Sequence, residues 1–232
     1  KKEGGILSPE KKEDAKKIQN LLWRLNVNDS EYTYEDILQR GQWRPGIITE
    51  DGYVIDGNRR MAILSKLFTD TGNDEFKFIK VGRLPPNIEK TDLWKLEAGL
   101  QLGREEIVKY GPMNELLKLE EAKMLEISNE EIVHVLYGFD DVKIIEAKLD
   151  ILELIKKYLI HIGKPENFKL TEDKVEHFKE LQKIVRAYGS PKDGGVNLSP
   201  DERIAIRNAV FCLINQGTPH MQLRKIEKMI KR

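Results

Sequence analysis

A single cysteine, Cys212, in 232 residues rules out an internal disulfide. The four histidines, His134, His161, His177 and His220, are too scattered in the sequence for a Cys/His zinc cluster. A reducing, cytoplasmic setting is the expectation, with Cys212 buried in an apolar helix. No apolar run approaches the ~20 residues that span a bilayer, and no apolar signal segment opens the chain, so a membrane is not expected as a partner. Neither charge is in excess: Lys+Arg and Asp+Glu both number 39. Long-range attraction to nucleic acid is therefore excluded, and any contact with phosphates must come from a local patch. Repeats and low-complexity segments are also missing. What is present suffices for a folded protein, since hydrophobic residues make up 40% against 34% charged. The chain starts Lys1-Lys2 without a methionine, as a piece trimmed from a longer protein would.

Ser8-Pro9-Glu10 has the pattern of a helix start, with Ser8 as cap and Pro9 at the first helical position, followed by the apolar stripe Ile18, Leu21, Leu22, Leu25. A short helix is expected over Tyr34 to Arg40. Gly46 to Thr49 and Tyr53 to Ile55, joined by Glu50-Asp51-Gly52, give a β-hairpin. From Arg59 the pattern turns helical through Phe68 and stops near Gly72, and the alternation in "FKFIKV", Phe76 to Val81, predicts another strand. Beyond Asp92 only helices are expected: to about Leu102, then Pro112–Glu126, Ser128–Tyr137, Asp140–His161, Thr171–Tyr188, Ser199–Gln216 and a basic tail from His220. Ser128 with Glu131 and Ser199 with Glu202 have capping-box spacing. Trp23, Trp43 and Trp94 are expected in the core or at a domain interface.

The segment with chemical character is "YVIDGNRRMAIL", Tyr53 to Leu64. A strand runs into Asp56-Gly57-Asn58 and then into a helix that opens on Arg59-Arg60. Glycine at such a turn lets a ligand approach the backbone, and the first helical amides point at it with the positive end of the dipole. Two guanidinium groups supply forked donors suited to phosphate oxygens. Cations are unfavourable at a helix N-terminus, so their placement itself points to an anion.

"ITEDGYVIDGNRRMAILSKLF", Ile48 to Phe68, resembles the second sequence box of the ParB/sulfiredoxin superfamily, a strand running into Gly-x-Arg-Arg and a helix. The resemblance spans about 20 residues and implies that Gly57, Asn58, Arg59 and Arg60 hold phosphates of a nucleotide, with CTP, with or without Mg2+, as the first candidate. Asp56 and Asn58 stand where the ParB box has a small residue and a glutamate. "LEAGLQLGREEIVKYGPMNELLKLEEA", Leu96 to Ala122, resembles the third box, with Gln101 and Arg104 as further phosphate ligands and Ala98 in place of its asparagine. The reactive cysteine of sulfiredoxins has Asn58 at its position here. The family also holds nucleases and NTPases of DNA modification and anti-phage defence, and for that alternative Asp56 and Glu97 are the candidate catalytic, metal-gathering carboxylates. A third reading is an interaction module whose nucleotide site has decayed.

ParB proteins follow the nucleotide box with a helix-turn-helix, and Ile127 to Ile151 has that outline, but Asp140, Asp141, Glu146 and Asp150 outnumber Lys143 and Lys148. Acids repel the phosphate backbone, so this is at most a degenerate helix-turn-helix, serviceable as a dimer or partner surface. The tail carries Arg224, Lys225, Lys228 and Lys231, candidates for contact with DNA or a partner. Taken together the expectation is an α+β protein: a small mixed ParB/sulfiredoxin-like domain over residues 1–111, then a helical domain over 112–232, binding a nucleotide in a DNA-associated role such as partition.

Overall fold

The structure is a computed structural model, described over residues 7–102, 111–136, 141–188 and 197–230. The described chain is mostly helical with one small mixed sheet, the coarse α+β architecture expected. It divides into two units between Glu89 and Lys90. That division lies upstream of the expected 111/112 boundary because the helix beginning at Lys90 buries Trp94 and Ala98 among Leu119, Ala122, Ile127 and Ile132.

The first unit begins with α1, Lys12–Leu25, and α2, Val27–Arg40. Ser8 and Pro9 precede the first helix instead of starting it: the Lys11 amide donates to the Ser8 carbonyl at 3.0 Å in a turn, and the Ser8 amide donates to Asp14 Oδ2 at 3.2 Å. The second helix is a full turn and more longer than expected at its start. Asn26 caps it by accepting from the Asp29 amide at 3.3 Å, and buried Ser30 donates to the Trp23 carbonyl at 3.1 Å. A polar segment can thus be helical where its small hydroxyl residue packs inward.

Strand β1, Gly46–Ile48, pairs antiparallel with β2, Val54–Asp56, and parallel with β3, Val81–Arg83, giving the order β2-β1-β3. The hairpin is the expected one: Gly52 takes φ 88°, and the Thr49 amide donates to the Tyr53 carbonyl at 2.8 Å. The strand expected over Phe76 to Val81 is corrected. Asp74–Lys77 is a 3-10 turn capped by Asn73, which drops Phe76 into the core, and pairing begins only at Val81. Upstream of it the Gln42 side chain replaces a strand neighbour, accepting from the Lys80 amide at 2.8 Å and donating to the Lys80 carbonyl at 2.9 Å. Helix α3, Asn58–Thr71, buries Ala62, Ile63, Leu64 and Leu67 and ends at left-handed Gly72. Ile37, Ile63, Leu64, Leu67 and Phe76 form this unit's core.

The second unit is helical: α4 Lys90–Leu102, α5 Pro112–Met124, α6 Asn129–Val135, α7 Val142–His161, α8 Val175–Arg186, α9 Pro200–Asn215 and α10 His220–Ile230. Both expected capping boxes are present, at Ser128 with Glu131 and at Ser199 with Glu202. Residues 137–140, which include the expected turn of the helix-turn-helix at Gly138-Phe139, lie outside the described residues; after them α7 is the central helix of a core that includes Ile155, Tyr158, Leu159, Phe178, Leu181 and Phe211. No described helix is long and apolar enough to cross a membrane.

Candidate functional site

Gly57 is the junction of β2 and α3. It is buried, its φ is 110°, and a Cβ there would stand 3.2 Å from Gly46 Cα. Gly46 answers it: a Cβ on that residue would stand 2.8 Å from the Asp56 carbonyl oxygen. The two glycines let the first strand and the strand-to-helix turn touch backbone to backbone, which fixes where the amides at the start of α3 emerge. No side chain accepts from those amides, and no acid stands in the helix's first turn.

The expected arginine pair divides into two roles. Arg60 is folded back onto the turn. Its Nη2 donates to Asp56 Oδ2 at 2.8 Å, and its Nη1 donates to the Pro45 carbonyl at 3.0 Å and also to the Arg44 carbonyl. With its side chain only 15% exposed, it braces β1 against β2. Burial pulls this guanidinium below its ordinary pKa, the Asp56 charge pushes it back, and Arg44 adds repulsion. Arg59 is the less committed cation, half-exposed and 3.9 Å from Asp29 Oδ2. Asn58 is exposed, its Nδ2 3.4 Å from the Val54 carbonyl.

Sequence reasoning missed Arg44. It stands one residue past Trp43, its charge is felt at Arg60, and no carboxylate pairs with it among the described residues. Arg59 and Arg60 thus stand in the first turn of α3, paired with Asp29 and Asp56, and Arg44 lies near enough for its charge to act on Arg60. An acceptor-rich anion fits this donor set, whereas a cation would have to displace Arg60 from Asp56.

The remaining candidates lie in the second unit. Glu97 Oε2 accepts from Lys118 Nζ at 2.8 Å, and Lys118 also bonds Glu121 at 2.8 Å. Gln101 belongs to α4 by its backbone; Arg104 lies outside the described residues. No group of three or more His, Cys, Asp or Glu able to hold a metal occurs among the described residues. On α10, Arg224 donates through Nε to Glu180 Oε1 at 3.0 Å, Lys225 and Lys228 are exposed, and Lys231 is outside the described residues.

Three other expectations are corrected or refined. Cys212 is exposed, turned outward beside buried Phe211, with Sγ 3.9 Å from His161 Nε2. Of the tryptophans, Trp94 is buried and Trp23 packs against the first core, but Trp43 is 73% exposed, with Nε1 donating to Asp36 at 3.2 Å. His177 and His220, 43 positions apart, meet with ring centroids 5.6 Å apart. Comparison of the chain with protein-family models, with curated proteins and with solved structures finds no match in any of the three.

Proposed function

We propose that the first unit binds phosphate groups of a nucleotide at the start of α3, in the manner of a ParB-like module with a DNA-associated role. One observation carries the reading: an uncapped helix N-terminus behind a buried glycine opens on Arg59 and Arg60, with the charge of Arg44 felt at Arg60. Cations gathered at the positive end of a helix repel one another and the dipole, and a bound anion converts that cost into attraction. Arg60 holds the turn in shape through Asp56, while Arg59, Arg44 and the helix amides supply donors to the phosphate. Asp56 and Glu97 are each engaged by a cation, which favours binding over hydrolysis or strand cleavage.

The test is a thermal-shift screen of CTP, ATP, GTP and ADP with and without Mg2+. A true ligand raises the melting temperature progressively with its concentration above Kd. The expected result is a rise with a cytidine or other triphosphate that Arg59→Ala and Arg44→Ala each reduce. Equal behaviour of wild type and both variants towards every nucleotide overturns the proposal.

A further inference from the structure

Two large aromatic side chains at one end of the small sheet have no place in the core. Trp43 is 73% and Phe78 76% exposed. Strands β1 and β3 run parallel with Gly46 opposite Val81, and each ring stands three residues before that pair, Trp43 on one strand's lead-in and Phe78 on the other's. The Gln42 side chain ties the two lead-ins together through the Lys80 backbone. Because β2 runs antiparallel, its last residue, Asp56, pairs with Ile47 at this same end, so the rings share it with the Gly57 turn. Exposed Tyr53 immediately precedes β2 and therefore belongs to the opposite end.

Asp36, which accepts from Trp43 Nε1, is already paired with Arg40, and the remaining charges here favour an anionic partner. Arg44 follows Trp43 directly and Lys80 stands two residues past Phe78, and neither has a carboxylate partner among the described residues. Along the extended lead-in to β3 Ile79 points inward, reaching within 3.7 Å of where a Gly57 Cβ would lie, so Phe78 and Lys80 both project away from it. Aromatic faces alternating with free cations at a surface fit a chain whose bases are unstacked and whose phosphates are regularly spaced. A cavity of about 370 Å3 in this unit lies at the far end of α3, lined by Gly41, Thr71, Asn73 and Glu75. Duplex hides its base faces from rings of this kind.

We infer that this end of the sheet binds single-stranded nucleic acid, with Trp43 and Phe78 stacking on bases and Arg44 and Lys80 holding the phosphates between them. The inference rests on the phosphate reading of the α3 start and extends it from a mononucleotide to a polymer.

Fluorescence anisotropy with labelled single-stranded DNA and RNA of about 12 nucleotides, alongside a duplex of the same sequence, tests it. Trp43→Ala and Phe78→Ala each weaken single-strand binding about tenfold without lowering the melting temperature, since both rings are exposed. Trp43→Phe retains binding but removes the tryptophan quenching that wild type shows on titration. Absence of single-strand binding by wild type, duplex binding as tight as single-strand binding, or unaltered affinity in both alanine variants overturns the inference. In those cases the nucleotide thermal shift decides the underlying reading separately: a shift reduced in Arg59→Ala leaves the phosphate site standing, and no shift removes both.

Discussion

Arg60 and Asp56, four residues apart across the Gly57 turn, form an ion pair at 2.8 Å whose guanidinium also holds the carbonyls of Arg44 and Pro45. The arginine is therefore a tie between two strands and a helix. Asp56→Ala leaves a largely buried cation without its partner and should cost about 1–3 kcal/mol. Arg60→Ala frees two carbonyls and should cost a similar amount. Chemical denaturation measures both; a stability equal to wild type in Asp56→Ala would show that the carboxylate is free for another task.

Arg59 should behave in the opposite way. Its pairing with Asp29 is long, at 3.9 Å, and both side chains are about a third exposed. Such pairs contribute at most about 1 kcal/mol, so Arg59→Ala should unfold within that margin of wild type while losing nucleotide affinity. Denaturation and the nucleotide thermal shift, measured on the same variant, separate the two arginines.

The glycine pair gives a sharper structural prediction. Gly57→Ala adds a Cβ at φ 110° and 3.2 Å from Gly46 Cα, so strain and a close contact act together and should cost about 1–3 kcal/mol. Gly52→Ala at φ 88° meets nothing within 4 Å and carries the conformational strain alone. Gly57→Ala should therefore destabilise more than Gly52→Ala in a urea melt.

How far the sequence announces these features depends on range. The hairpin was legible because Asp51-Gly52 is a local turn signal, and the boxes at Ser128 and Ser199 because a cap and its glutamate lie three residues apart. The lead-in to β3 was misread because Phe76, Phe78 and Lys80 alternate with period two whether or not the segment pairs; what decides is a core that claims Phe76 and a glutamine 38 positions upstream. The candidate site was legible at Gly57 and Arg59. It was not legible at Arg44, whose charge reaches Arg60 only through strand pairing, nor in the outward setting of Trp43, since aromatic identity alone argues for burial.

Histidine 177 illustrates a second long-range effect and sets a pH dependence. Its Nε2 lies 3.1 Å from the Thr218 carbonyl, so the neutral ring carries its proton there and leaves Nδ1 buried without a partner. Burial, with repulsion from His220 and Lys174, lowers its pKa below the ordinary 6.5, outweighing the hydrogen bond to Thr218. A base whose folded pKa is depressed binds its proton more readily when unfolded, so its contribution is fully present above pH 6.5 and lost as pH falls below that value. His177→Gln keeps a donor towards Thr218 and should flatten the stability profile below pH 6.5; an unchanged slope would place the titration elsewhere.

The basic tail separates into one structural cation and two surface ones. Glu180 is 3% exposed in its side chain; its Oε1 accepts from Arg224 Nε and Lys183 Nζ, both at 3.0 Å, and its Oε2 is buried without a partner. Burial would raise this carboxylate's pKa, but Lys183 and Arg224 together outweigh it and lower the pKa. Leu223, fully buried beside them, docks α10 on α8. Removing Arg224 leaves the buried carboxylate to Lys183 alone, so Arg224→Ala should cost about 1–3 kcal/mol and loosen α10. Lys225→Ala and Lys228→Ala, on the exposed face, should each stay within about 0.5 kcal/mol of wild type. Amide hydrogen exchange over 220–230 reads the difference directly: faster exchange in Arg224→Ala alone is expected, and equal exchange in all three variants would mean that Leu223 and its apolar neighbours hold the helix without the ion pair.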